Sequence, residues 1–162
     1  MKTPKTFPSF LLTTGTTLAC AAVGTWASDP HTAWYRSLNK PSWNPPNIAF
    51  PIAWTSLYAD IAITTGIAHS TLRKRRHAQE ARRYLGALGV NLVLNASWSY
   101  VFFQMKNTEL AVVNAALLAA SSIDLARRTG RISKSAGVAL APYAAWTSFA
   151  TALSTSIWQR NK

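Results

Sequence analysis

Residues 6–28 read TFPSFLLTTGTTLACAAVGTWAS, and from Thr6 to Ser28 there is no Asp, Glu, Lys or Arg. These 23 residues exceed the roughly 20 that an α-helix needs to cross the hydrocarbon core of a bilayer. Bulk composition does not announce this, since 49% hydrophobic residues and a mean hydropathy of +0.05 would suit a soluble globule of 162 residues. The placement of the charges decides the class. Outward from the first stretch, Pro41–Leu72 carries Asp60 as its one charge, and Tyr84–Met105, Leu110–Ile123 and Ser135–Gln159 carry none. Leu110–Ile123 is short, but Glu109 and Asp124 are placed to sit at the interfaces on either side of it. The modest hydropathy comes from abundant Ala, Thr and Ser, which suit close helix packing in lipid. The expected fold is an all-α membrane protein: one domain over residues 1–162, a bundle of five transmembrane helices. The helices are expected at about 7–27, 46–70, 83–104, 108–127 and 134–158, with a lid-like loop over 28–45.

A net charge of +12 raises the question of nucleic acid. The basic residues lie between the apolar stretches, which is the pattern of topological signals, and no nucleic-acid partner is expected. With five spans, the amino-terminal side collects Lys2, Lys5, Arg73, Lys74, Arg75, Arg76, Arg82, Arg83, Arg127, Arg128, Arg131 and Lys134. The other side holds Arg36, Lys40, Lys106, Arg160 and Lys162. Twelve against five places the amino terminus in the cytoplasm and the carboxyl terminus outside, in a bacterial-type cell membrane. Arg73–Arg76 with Arg82 and Arg83 reads as an inner-leaflet anchor. Cys20 is the one cysteine, which excludes an internal disulfide and a Cys-based metal site. The first span is long for a signal peptide's apolar core and is expected to remain as a helix. The joint at Lys106-Asn107-Thr108 is tight, so the helices on either side are expected to be antiparallel neighbours.

Seven tryptophans stand at Trp26, Trp34, Trp43, Trp54, Trp98, Trp146 and Trp158, none in the cytoplasmic half. Trp26 and Trp158 fit an interfacial belt, whereas Trp54, Trp98 and Trp146 lie too deep for one. Phe50, Trp54, Tyr58 and Ile61 form a stripe on helix two at helical spacing. Asn91, Asn95 and Trp98 share a face of helix three with Phe102 below them, and Tyr143, Trp146 and Ala150 share one on helix five. Two readings stand: aromatic core packing, or a pocket for a flat, mostly apolar ligand, since buried amides in lipid need a partner or a cavity.

The loop stretch Trp34-Tyr35-Arg36-Ser37-Leu38-Asn39-Lys40-Pro41-Ser42-Trp43-Asn44-Pro45-Pro46, followed by Phe50, Trp54, Leu57 and Tyr58, resembles the signature of the TspO/MBR family. That family comprises the tryptophan-rich sensory proteins and translocator proteins, also called peripheral-type benzodiazepine receptors. Asn91-Leu92-Val93-Leu94-Asn95 with Trp98, Phe102 and Phe103 is similar to its third helix, and Pro142–Trp146 with Phe149–Leu153 to its fifth. The resemblance runs from about Trp34 to Trp158. It implies a five-helix bundle, commonly a homodimer, with a cavity under the loop between helices one and two that takes porphyrins and other apolar small molecules. By matching positions, Tyr35, Pro45, Phe50, Trp54, Tyr58, Asn95, Trp98, Trp146, Ala150 and Leu153 would line or cover it, and the helix-three stripe adds Asn91. No cofactor or metal is implied; porphyrin enters as ligand.

Three functions are compatible with the resemblance. The favoured one is a membrane receptor or sensor whose occupied cavity modulates tetrapyrrole or stress metabolism. The alternatives are a porphyrin or sterol transporter, and an enzyme degrading porphyrin in light with Trp54 and Trp146 as its reactive residues. The stretch Leu153–Arg160 lacks the Tyr of the family's sterol-recognition pattern, so no sterol is assigned. Asn114 stands where an acidic residue is common. Asp60 lies mid-span on the face opposite Tyr58, and is expected at a helix contact or dimer seam. Ala111, Ala115 and Ala119, at four-residue spacing, allow a close approach within the bundle or between copies.

Overall fold

The computed structural model describes residues 6–162, and every regular element among them is helical. The elements are α1 (Thr6–Ala27), α2 (Ala33–Ser37), α3 (Ala49–Lys74), α4 (Ala78–Ser99), α5 (Thr108–Ile132), α6 (Lys134–Ala139) and α7 (Ala141–Arg160). A π-helical turn, Tyr100–Gln104, extends α4. Lys2 and Lys5, counted above on the cytoplasmic side, lie outside the described residues.

Among the described residues three helices are long and apolar enough to cross a membrane: α1, α4 with its π-helical turn, and α5. The 26-residue α3 and the 20-residue α7 contain no 18-residue stretch as apolar as those three. Some of their polar side chains are turned inward: Thr64, Thr65, His69 and Ser70 of α3 and Thr147 and Ser154 of α7 are buried. The hydroxyls bond back to the preceding turn, Thr65 Oγ1 to the Ile61 carbonyl (2.6 Å) and Thr155 Oγ1 to that of Thr151 (2.8 Å). A Ser or Thr satisfied in this way carries little polarity to the helix surface.

The long helices pack mostly against their neighbours in sequence, and α1 also packs against α4. α1 lies against α3 and α4, α4 against α5, and α5 against α7. Thr13 Oγ1 reaches from α1 to the Ala62 carbonyl of α3 (3.1 Å), and the Phe10 ring covers Gly66 so closely that a Cβ there would lie 2.6 Å from it. Ala111, Ala115 and Ala119 are buried inside the chain, where they let α5 approach its neighbours. Gly137 of α6 meets the Gly130 backbone of α5 with no room for a side chain at Gly137.

Several boundaries differ from the expected ones, and α3 and α5 run on to Lys74 and Ile132, past the expected ends at 70 and 127. Helix two begins at Ala49 rather than near Pro46, because Pro46 supplies a carbonyl to the Ala49 N–H (2.8 Å) in a turn that precedes the helix. Helix three begins at Ala78. The connection before it is very short because α3 ends in a Schellman motif: Arg76 adopts φ 61°, its N–H bonds the Arg73 carbonyl, and the His77 N–H bonds that of Leu72. Arg82 therefore rides on α4 with Arg83 instead of in the preceding loop. Helix five is interrupted at Leu140, since Pro142 has no N–H for the Val138 carbonyl and is accommodated in the first turn of a new helix.

Candidate functional site

The α3 stripe builds one wall of a cavity. Trp54 stacks on Tyr58 (5.4 Å between centroids), and Trp146 of α7 meets Trp54 edge-on at 6.4 Å and 89°. Phe50 packs against the same Trp146 (6.1 Å), and Tyr143 against Trp54 (6.4 Å). The opposite wall comes from the end of α4. Trp98 stacks on Phe102 (5.1 Å, 13°), which contacts Phe103 edge-on (4.9 Å). In an unbroken α-helix, residues 102 and 103 would point about 100° apart. The π-helical turn changes that spacing, and both rings border the cavity.

The connection between α1 and α3 roofs this space. Thr32 caps α2 by accepting from the Tyr35 N–H (3.2 Å), which sets Tyr35 over Phe102 and Phe103. Burial pushes the Tyr35 phenol above its ordinary pKa, so it meets a ligand as a neutral hydroxyl. Lys40 Nζ donates to the Tyr35 carbonyl (2.6 Å) and lies 4.4 Å over its ring, using the charge to tie the connection together. Trp43 closes on Phe149 (5.8 Å). The enclosed volume is about 450 Å³, within the range of small-molecule sites.

Beneath the aromatic walls runs a chain of hydrogen bonds with one direction. The Tyr58 hydroxyl donates to Asn95 Oδ1 (2.9 Å), Asn95 Nδ2 to Tyr143 Oη (3.0 Å), and the Tyr143 hydroxyl to Asn91 Oδ1 (2.8 Å). Asn91 Nδ2 then donates to Ser122 Oγ (3.0 Å) and Ser121 Oγ (3.3 Å). Asn91, Asn95 and Tyr143 are buried, and each amide is thereby satisfied at both ends.

The cavity is bordered by Tyr35, Phe50, Trp54, Tyr58, Asn95, Trp98, Trp146, Ala150 and Leu153. Pro45 and Asn91, expected there too, are not among the residues that border it. Asn91 lies one turn deeper along α4, behind Tyr143, and its amide is spent on the helix contacts. At the loop, Asn44 faces the cavity and holds the Pro45 carbonyl through Nδ2 (2.8 Å). Sequence reasoning missed Gly24, Thr25 and Ser28 of the α1 end, and also Phe103, His31 and Phe149. The absence of a side chain at Gly24 leaves space beside Tyr58, whose hydroxyl would lie 3.4 Å from a Cβ there. Among the described residues no Asp, Glu, Lys or Arg borders the cavity, and no group of three His, Cys, Asp or Glu could hold a metal ion. Asp60 points elsewhere: it does not border the cavity, and its buried Oδ2 has no hydrogen-bond partner among the described residues.

A family model for the TspO/MBR family matches residues 13–159, a span that includes the roof, both aromatic walls and the amide chain. The chain belongs to the TspO/MBR family. Among its TspO/MBR relatives, the tryptophan-rich protein TspO of Chlorobaculum tepidum is 35% identical over 88% of this chain and 90% of its own length. The tryptophan-rich sensory protein of Cereibacter sphaeroides is 35% identical over 79% and 77%. The human translocator protein is 27% identical over 98% and 92%. With three spans of sufficient length and hydropathy, this TspO/MBR protein is an integral membrane protein.

Proposed function

We propose that the chain is a receptor or sensor that binds a porphyrin in the cavity beneath the α1–α3 connection and modulates tetrapyrrole or stress metabolism through the occupied state. The observation that carries this reading is the Trp54–Trp146 pair with Trp98 opposite, in a space of about 450 Å³ bordered, among the described residues, by rings and amides and by no charged side chain. Such walls suit a flat apolar macrocycle, whose carboxylates would stay toward the mouth, near the exposed His31. Five spans support the site: α1, α3, α4, α5 and α6–α7, with the connection over 28–48 as its lid. The inward-facing hydroxyls of α3 and α7 account for the lower apolarity of those two spans. The basic residues then place the amino terminus in the cytoplasm and the carboxyl terminus outside, and the protein works as a homodimer in the bilayer.

The test is a titration of purified protein with protoporphyrin, following tryptophan fluorescence in the dark and porphyrin absorbance under light. Saturable quenching that weakens in Trp54→Ala and in Asn95→Ala is expected. Quenching that never saturates, or variants that bind like wild type, would overturn the reading. Edge-to-face contact of Trp54 and Trp146 is the observation that favours a second reading, light-driven degradation of the bound porphyrin. Multiple-turnover porphyrin loss that disappears in Trp146→Phe while binding persists would establish it. Uptake into proteoliposomes along a porphyrin gradient would instead mark a transporter.

A further inference from the structure

A second hollow lies away from the cavity, between α4 and α5, bordered by Arg83, Gly86, Ala87, Val90, Ser121, Asp124 and Arg128. The two helices are joined by the short turn after Gln104 and pack side by side, so the start of α4 and the end of α5 lie at the same end of the pair. Arg83 and Arg128 therefore stand together at that end, with Arg82 and Arg127 beside them in sequence. Val90 lies roughly 10 Å deeper along the helix, at 1.5 Å per residue. From there the surface continues in exposed apolar side chains, Val90 and Val93 on α4 and Val113 and Leu117 on α5. The hollow thus has a cationic head and an apolar tail, ordered along the membrane normal.

Among the described residues nothing is packed against its glycine. A Cβ at Gly86 would meet nothing within 4 Å, and the same holds at Gly89. Glycine in a helix interior is disfavoured relative to alanine, yet at neither position would a described neighbour obstruct a larger side chain. At Gly86 the missing side chain leaves a furrow that opens outward. The charges at its head are also incompletely answered. Asp124 Oδ2 takes the Nε–H of Arg128 (2.6 Å), one of five guanidinium donors, and neither of the two ion pairs among the described residues includes Arg83. A guanidinium fork at the membrane surface matches a phosphate oxygen pair.

We propose that this hollow is a binding site for one anionic phospholipid, its phosphodiester held by Arg83 and Arg128 and an acyl chain lying in the Gly86–Val90 furrow. A second copy of the chain is the competing occupant, but pairing these faces would gather the arginines of both copies at one seam, where like charges repel. An anionic headgroup neutralises them instead. Ser121 adds a hydroxyl on the wall, its oxygen already accepting from Asn91.

The experiment exchanges the full-length protein into mixtures of phosphatidylcholine and phosphatidylglycerol and counts retained lipids by native mass spectrometry. Wild type is expected to retain one phosphatidylglycerol in preference to phosphatidylcholine by about tenfold, because the choline cation of phosphatidylcholine offsets the phosphodiester charge that the two arginines hold. Arg83→Gln with Arg128→Gln should abolish the preference, and Gly86→Leu, which favours the helix, should lose the bound lipid with the arginines intact. The control, Arg75→Gln with Arg76→Gln, removes the same charge from the α3–α4 turn and should keep the preference. Circular dichroism confirms that each variant is folded. Equal retention of the two lipids by wild type overturns the proposal. So does a preference that survives in the Arg83/Arg128 variant or vanishes equally in the control. A dimer that Gly86→Leu dissociates without any change in lipid retention assigns the furrow to a second copy and also overturns it.

Discussion

Asn161, just past the end of α7, grips the backbone of Asn39 in the α1–α3 connection at both of its polar groups. The Asn39 N–H donates to Asn161 Oδ1 (2.8 Å), and Asn161 Nδ2 donates to the Asn39 carbonyl (3.0 Å) and to the Ile157 carbonyl (2.7 Å). One side chain thus ties the roof of the cavity to the helix that carries Trp146, while Tyr35 packs the roof onto Phe103 and Lys40 braces Tyr35 from within the roof.

Removing that grip should loosen the roof without touching the cavity walls. In Asn161→Ala two exposed hydrogen bonds to the roof are lost, each worth about 0.5–1.5 kcal/mol. Stopped-flow tryptophan fluorescence with protoporphyrin should show faster entry and faster release, with dissociation accelerated several-fold. Unchanged rates in both directions would mean that the roof does not gate the cavity.

The directional chain predicts a separation between neighbouring asparagines. Tyr143→Phe strands Asn95 Nδ2 and Asn91 Oδ1 in a buried setting, a cost of about 1–3 kcal/mol for each group left unsatisfied. Asn91→Leu should lower thermal stability in detergent yet leave porphyrin affinity close to wild type, because Asn91 does not border the cavity. Asn95→Leu should lower both. Equal losses of affinity in the two asparagine variants would show that the site reaches further along α4 than the cavity does.

Trp146 contacts Phe50, Trp54 and Phe149, so it braces the α3 and α7 walls together. Aromatic pairs of this kind add about 0.5–1.5 kcal/mol beyond the area they bury. Trp146→Ala is expected to weaken porphyrin binding by at least tenfold, and Trp146→Phe by much less, in equilibrium quenching titrations. Matching affinities for the two variants would remove Trp146 from the binding wall.

Two glycines can be ranked by what surrounds them. At Gly66 an added Cβ would strike the Phe10 ring, which can rotate away, whereas at Gly137 it would strike the Gly130 backbone, which cannot. Gly137→Ala should therefore destabilise the chain more than Gly66→Ala, which should cost about 1–3 kcal/mol as an overpacking substitution. Combining Gly66→Ala with Phe10→Leu should recover part of the loss. Thermal unfolding of the four proteins checks the order, and the reverse ranking would refute the α5–α6 packing described above.

The sequence by itself determined the membrane class, the helix content and the family. Each of these is written locally: charge-free stretches of spanning length, tryptophans at one end of the spans, and the Trp34–Pro46 motif. The α3 stripe of Phe50, Trp54 and Tyr58 was legible for the same reason, since helical period alone puts those rings on one face. Helix ends were read less well, because a Schellman turn at Arg76 and a proline two residues inside α7 act through single backbone bonds that periodicity does not register. Only the tertiary structure decided that Asn95 faces the cavity while Asn91, one turn away, is spent on Tyr143 and Ser122. The same is true of the π-helical turn that brings Phe103 beside Phe102, and of the Asn161 grip on Asn39. These features depend on partners far away in the chain, and the balance that selects them is set when helices pack, not by the order of residues within any one of them.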